Sequence, residues 1–313
     1  MAAILFSPGM VTGATAQTQP VDSSQSAPAA TGQTQPPRSG EEQTAPVAEV
    51  APTQGMIRIV PFGRGSTGIK NTAAPAGAHL TYFGGPVISN ISVVAVFWGP
   101  NVTPVVTANG AIDQFYTDIT SSRFFDLLTE YSTAGTAGSG AGASTNQSIG
   151  HGSFLGKVTI TPSLCPGPAA CTVTDTQIQT ELTNQINAHV LPAPTTDLHG
   201  IINTYYAIYF PPGVTINDGT SSSCVKGGFC AYHSDIAGTL APYGVLPDFT
   251  ASACSLGCGA GTPFQNISAV SSHEMSEAIT NSEAGSANVF GPPLAWYDGP
   301  TPNLGEVADL CNG

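Results

Sequence analysis

Basic side chains are scarce in this chain: Lys and Arg number 7 against 20 Asp and Glu, a formal charge of −13 at pH 7 over 313 residues. Nucleic acids and anionic membrane surfaces draw their affinity from Lys and Arg, so neither is expected as a partner. Past the N-terminus no run of ~20 uninterrupted apolar residues occurs, so no membrane insertion is expected. Charge of either sign is thin, at 9% of residues against roughly 25% in ordinary soluble domains. A Gly-x-Ser-x-Gly elbow, a phosphate-binding loop and a dinucleotide fingerprint are all missing, so those chemistries have no support here. Apolar residues make up 41%, enough for a folded core, and 36 Gly with 26 Pro favour strands joined by turns over a helical bundle.

Aromatic residues are missing from one long stretch as well. None occurs between Phe6 and Phe62, and residues 17–55 are rich in Pro, Gln, Ser, Thr and Ala. Such a composition cannot bury enough apolar surface to offset its ordering entropy, so a disordered spacer is expected there. Ahead of it, Ala2–Val11 is apolar, and Ala14-Thr15-Ala16 resembles a signal-peptidase site with Gln17 as the first mature residue. Residues 1–16 therefore read as signal-peptide-like, although no basic residue precedes Arg38, and a secreted, extracellular product is expected. Residues 56–313 read as one domain. Cys165, Cys171, Cys224, Cys230, Cys254 and Cys258 fall in close pairs, as in exported proteins with local disulfides. Loops of five, five and three intervening residues can close as Cys165–Cys171, Cys224–Cys230 and Cys254–Cys258, a connectivity that spacing alone leaves open. The spacings do not suit a zinc knuckle. Cys311 is left over.

Within the domain the pattern is mixed, and an α/β (α+β) fold with a mixed sheet and packed helices is expected. Val87–Trp98 is dense in β-branched and aromatic residues, a buried strand. Phe154–Thr161 and Ile201–Phe210 read as further strands. Ile112, Phe115, Tyr116, Ile119, Leu127, Leu128 and Tyr131 have helical spacing with a break at Ser121-Ser122. Thr174 and Gln177 form a capping box ahead of an apolar stripe of Ile178, Leu182, Ile186 and Val190. Ser132–Ser148, made of small residues, reads as a surface loop.

The helix expected over Ile267–Asn281 carries the chemistry. It contains His273-Glu274-Met275-Ser276-Glu277, and at 100° per residue His273 and Glu277 project from one face. Ile267, Ser271, Met275, Ala278 and Ile279 fall on the opposite side, with Glu274 between the two. Zinc hydrolases use this geometry, two ligands one turn apart and an intervening Glu that activates water. In this composition His-Glu-x-x-Glu arises by chance roughly 0.005 times per chain, so an ordinary helix with a wet acidic face is the weaker reading. Six of the 20 acids lie between His273 and Asp309, and no Lys or Arg follows Lys226. Acids gathered without basic partners face water or share a cation.

The expected ligands of a zinc ion are therefore His273, Glu277 and Glu306. Glu274 is the general base, and Asp309 the acid that orients His273. Asp298 or Asp309 are alternatives to Glu306 as third ligand. Calcium fits less well, because imidazole suits zinc and calcium prefers oxygen shells. His233, beside Cys230, reads as a structural, hydrogen-bonded histidine, with a place lining the site as the alternative. His79, His151, His189 and His199 have no clustered partners.

Four blocks give the chain a family likeness: Leu80–Pro86 leading into Val93–Trp98, Cys230–Ser234, Val270–Asn281, and Ala295–Asp298 through Gly305–Cys311. In this order they resemble the EXORDIUM-like, phosphate-induced proteins and their bacterial relatives, over everything from about residue 80 onward. The resemblance implies a secreted or wall-associated protein and, from bacterial and fungal relatives, a His-Glu-x-x-Glu metal site. It names no substrate. The chain departs from the pattern at Asn281-Ser282, where relatives carry Asp-Pro or Asn-Pro, and some plant members lack the His-Glu pair. Relatives also continue beyond the Asp-Leu-Cys block, which implies a C-terminally truncated chain here. The leading expectation is a zinc-dependent hydrolase acting on peptides. The other is a non-catalytic protein that binds a cell-wall component.

Overall fold

Ser92–Trp98 alternates between two separate cores: Val93, Ala95 and Phe97 pack into one, Val94, Val96 and Trp98 into the other. A strand buried on both sides belongs inside a sheet with helices on each face. The computed structural model describes residues 59–61, 76–299 and 305–311. The signal-peptide-like segment and the spacer lie outside these residues, as does the side chain of Cys311. In chain order the elements are β1 (Ile59–Pro61), β2 (Thr81–Tyr82), β3 (Ser92–Trp98), α1 (Pro104–Thr107), α2 (Ile112–Thr120) and α3 (Phe124–Leu128). Next come β4 (Ser153–Ile160), β5 (Cys171–Thr174), α4 (Asp175–Asn187), β6 (Thr204–Tyr209) and β7 (Val214–Asn217). The chain finishes with β8 (Phe229–Asp235), β9 (Pro242–Leu246), α5 (Cys254–Gly257), α6 (Pro263–Thr280) and β10 (Trp296–Tyr297).

The main sheet is mixed, in the order β1-β8-β9-β6-β3-β4. β4, β3, β6 and β9 run parallel, while β8 is antiparallel to β9 and β1 to β8. The helices divide between its faces. Ile178 and Leu182 of α4 share a core with Val94, Val96, Tyr206 and Ile208. Ile112 and Tyr116 of α2, with Ile267, Met275, Ala278 and Ile279 of α6, share the other with Val93, Phe97, Tyr205 and Tyr209. This is the α/β architecture read from the sequence. No described helix is long and apolar enough to cross a membrane.

Several expected boundaries move. The first strand begins at Ser92, not Val87: the Val87 N–H goes to the Gln147 side chain and the Ile88 N–H to the Ile279 carbonyl, so neither joins a ladder. Likewise the strand expected from Ile201 starts at Thr204. Val190 leaves the α4 stripe, because the helix ends at Asn187 and Val190 is 45% exposed. The Ser132–Ser148 loop is anchored rather than wholly superficial: Thr133 and Gln147 at its ends are buried, and Gln147 bonds both backbone groups of Val87.

The disulfides correct the local pairing. Cys165–Cys171 forms as expected, but the other four cysteines pair as Cys224–Cys254 and Cys230–Cys258. Cys230 lies inside a regular strand and Cys254 and Cys258 bracket a helical turn, so each reaches across to the other element. Two covalent clips thus tie β8 and the turn before it to α5, just ahead of α6.

Candidate metal centre

α6 begins four residues before its expected start, and its N-terminus is fully specified. Thr262 caps it: its side-chain oxygen accepts from the Gln265 N–H at 3.3 Å, and the Gln265 side chain accepts from the Thr262 N–H at 2.9 Å. Pro263 occupies the first turn, where no backbone donor is needed. One flank of α6 packs on the sheet through Ile267, Met275 and Ile279, and Ser271 meets the Tyr209 hydroxyl at 2.9 Å. The other functional positions follow from this seating. Glu274 and Glu277 are fully buried, and His273 keeps 13% of its side chain exposed.

Facing them is His233, in the middle of β8 and paired in register with Gly244 of β9. A Cβ at position 244 would overlap the Tyr205 hydroxyl, so glycine there lets the phenol pass over the strand. His233 is wholly buried. Its Nδ1 lies 3.4 Å from Glu274 Oε2 and 3.6 Å from Glu277 Oε2, and its Nε2 lies 3.5 Å from Glu306 Oε1. On the far side of Glu277, its Oε1 lies 2.9 Å from His273 Nε2, which is 3.7 Å from Asp309 Oδ1.

The third contribution comes from residues 305–311. Asp298 and Gly305 form a β-bridge that starts this segment. Gly305 has φ of 115°, and a side chain there would strike the Asp309 carboxylate, which turns back over the Glu306 N–H. Glu306 is buried and anchored, its Oε1 accepting from the Asn281 side chain at 2.6 Å. Asn281 in turn accepts from the Ala295 N–H at 2.9 Å. Asn281 thus supports the cluster through this pair of bonds.

Among the described residues, two trios of side chains could hold a metal ion: His233, Glu274 and Glu277, all buried, and His273, Glu277 and Asp309, which reaches the surface. Donors about 2.0–2.1 Å from one tetrahedral zinc sit roughly 3.3 Å apart, close to the 2.9–3.7 Å separations seen here. Among the described residues eight buried polar atoms lack a hydrogen bond. Six belong to this cluster: His233 Nε2, His273 Nε2, Glu274 Oε1, both oxygens of Glu277 and Glu306 Oε2. Buried polar groups are normally satisfied, so such a concentration marks a place made for something else.

The electrostatics show the same tension. Burial pushes Glu274 up to about 7, against the pull of His233 and His273. Burial also acts on Glu277, but His273 and His233 outweigh it and hold that carboxyl at about 2. Burial alone would lower His273; Glu277, Glu274 and Asp309 overcome it and raise it to about 9. His233 is likewise held well above its ordinary value, with Glu306 overcoming its desolvation. Asp309 rises to about 8 through burial and the neighbouring Glu277.

The structure therefore brings together His273, Glu274, Glu277, Glu306, Asp309 and His233. Asp298 lies outside both trios, where its carboxylate accepts from the His79 N–H at 3.3 Å. Glu306 approaches His233 rather than His273. His233, for which a place at the site was the weaker of two sequence readings, lies within 3.6 Å of Glu274, Glu277 and Glu306. Its strand is buried at all seven positions, so no alternation of polar and apolar residues marks it, and the Cys230–Ser234 block was the available signal. Tyr205 was missed altogether; its hydroxyl is buried without a partner, in the field of Glu274 and Glu277. The chain matches no protein-family model, no curated protein and no solved structure.

Proposed function

We propose that this chain is a secreted, zinc-dependent hydrolase acting on peptide bonds, with His273, Glu277 and Asp309 holding the ion. The observation that carries the reading is the partly exposed His273–Asp309 side of a cluster whose interior is buried. A catalytic metal keeps one position open to substrate, whereas a structural one is closed. Asp309 takes the third place in preference to Glu306, which is occupied with Asn281 and His233. When bound there, zinc supplies Lewis acidity for a carbonyl and eases the ionisation of water.

The remaining steps belong to the protein. Glu274 is the base, and burial sets its affinity for a proton near neutrality. Its Oε2 faces His233 while its Oε1 has no partner, so one oxygen is held and the other is available. Glu274 takes the proton of the attacking water through Oε1 and returns it to the leaving amine. The fold positions this base on a helix locked against the sheet, which limits its motion. The three disulfides and the resemblance to EXORDIUM-like proteins support an extracellular setting.

Elemental analysis of wild type beside His273→Ala and Glu277→Ala tests the site, with about one zinc or more expected in wild type and a loss in both variants. Well-folded wild type that takes up no metal from a zinc solution would overturn the proposal. Glu274→Gln should retain the ion held by His273, Glu277 and Asp309 and abolish hydrolysis of a peptide library. The full burial of His233, Glu274 and Glu277 favours a second reading, a structural ion in a wall-binding protein. That reading gains if metal is present, no peptide is cleaved, and the protein sediments with isolated wall polysaccharide.

A further inference from the structure

We propose that the two trios are filled together, by two divalent cations that share Glu277 as a bridging carboxylate. This rests on the reading above that the cluster binds metal, and extends it from one ion to two. The first observation is the way Glu277 is aimed. Its Oε1 faces His273 and its Oε2 faces His233, at 2.9 and 3.6 Å. Both oxygens are buried, and neither has a hydrogen bond. The two imidazoles fall in separate trios whose donor atoms each lie within 4.8 Å of one another. Each oxygen of one carboxylate thus serves a different histidine, the arrangement of a carboxylate between two metals.

The second observation is charge. Glu274, Glu277, Glu306 and Asp309 carry four negative charges when ionised, and no Lys or Arg follows Lys226 in the chain. The described salt bridges of these acids are to His233 and His273 alone. One divalent cation offsets two of the four, and the other two then need protons on the histidines or on the carboxyls themselves in a buried interior. Two divalent cations balance all four carboxylates and let both histidines be neutral, as ligands must be.

The third observation assigns Glu306. In the inner trio His233 offers Nδ1, which faces Glu274 and Glu277. Its Nε2 then carries the proton, 3.5 Å from Glu306 Oε1. Carboxylates commonly orient metal-bound histidines through the ring nitrogen left over. The chain from the Ala295 N–H through Asn281 to Glu306 fixes that carboxylate from the protein side. Inner ligands are therefore His233 Nδ1, Glu274 Oε2 and Glu277 Oε2. Outer ligands are His273 Nε2, Glu277 Oε1 and Asp309 Oδ1. Glu274 still keeps Oε1 for its proton.

The test is stoichiometry on the whole chain, stripped with a chelator and reloaded with zinc, counted by elemental analysis after dialysis. Two equivalents per chain are expected, falling to one in His233→Gln and to one in His273→Gln, with folding checked by circular dichroism. Loading wild type with Mn(II) gives a readout that needs no variant: neighbouring ions on one carboxylate produce an exchange-coupled paramagnetic resonance spectrum. One equivalent in wild type overturns the second ion and leaves the single-ion reading standing. No uptake overturns both. Two equivalents with the spectrum of isolated Mn(II) overturn the bridge.

Discussion

Removing Cys230 and Cys258 together, as Cys230→Ala/Cys258→Ala, tests both the disulfide pairing and its bearing on the site. The bond spans a sequence separation of 28, whereas Cys165–Cys171 spans 6. Because Cys224–Cys254 stays closed, the ring that Cys230–Cys258 adds runs through it and is only about 11 residues, so chain-entropy arguments put the stabilisation at about 2.8 kcal/mol for the first and about 2.2 kcal/mol for the second. For a domain of this size about 1 kcal/mol moves the melting temperature by roughly 2–4 °C. The expected losses are therefore roughly 6–11 °C for the Cys230/Cys258 variant and roughly 4–9 °C for Cys165→Ala/Cys171→Ala, measured by calorimetry without reductant. The sharper readout is the thiol count in denaturant. With Cys224 bonded to Cys254, the Cys230/Cys258 variant gains no free thiol over wild type. Local pairing would instead release Cys224 and Cys254, and two additional thiols would refute the connectivity. Metal affinity should fall in this variant and not in the Cys165/Cys171 one, because only the former frees β8, with His233, from the segment leading into α6. Equal affinities would refute the idea that the clip preorganises the site.

Four further outcomes are expected. Saturating zinc at about 100 times its dissociation constant should stabilise the stripped protein by about 2.7 kcal/mol, and Glu277→Gln should abolish the shift in scanning fluorimetry. Because His273 at about 9 and Asp309 at about 8 hold protons that a cation must expel, affinity should climb as pH rises from about 6 to 9; a pH-independent calorimetric titration would contradict this. Away from the cluster, burial and the nearby Asp235 raise Glu283 from 4.5 to about 7. A raised carboxyl favours the folded state below its unfolded value, so that stability is present below about 4.5 and is lost as pH climbs through about 7. Glu283→Gln should flatten that slope in urea titrations. Gly244→Ala should cost about 2 kcal/mol or more, since its methyl group collides with the Tyr205 hydroxyl; an unchanged melting temperature would show that Tyr205 has room to move.

Much of α6 was legible in advance. Its 100° spacing put His273 and Glu277 on one side and Met275, Ala278 and Ile279 on the other, and those three are in the core. The capping box at Thr174 also marked the start of α4 correctly. The matching box at Thr262 went unread, so α6 was taken to begin late. Strands were harder, because Val93–Trp98 and Phe229–Asp235 are buried on both faces and carry no period of two to set their ends. His233 suffered from this directly: a histidine among buried neighbours has the same local surroundings whether it is structural or a ligand. Glu306 and Asp309 were both placed at the site, and Asp309 meets His273 as expected; that Glu306 meets His233 depends on the turn at Gly305 and on Asn281, long-range contacts that local patterning does not encode. Cysteine pairing failed for a related reason. Short loops close at the least entropic cost, but an extended strand keeps neighbouring cysteines from folding back on each other.

The cluster's members arrive in three instalments, at position 233, at 273–277 and at 306–309. No single stretch of chain therefore carries the site. A fragment cut between α6 and position 305 would keep His233, Glu274 and Glu277 in the sequence. It would lose Glu306, which faces one histidine, and Asp309, which faces the other.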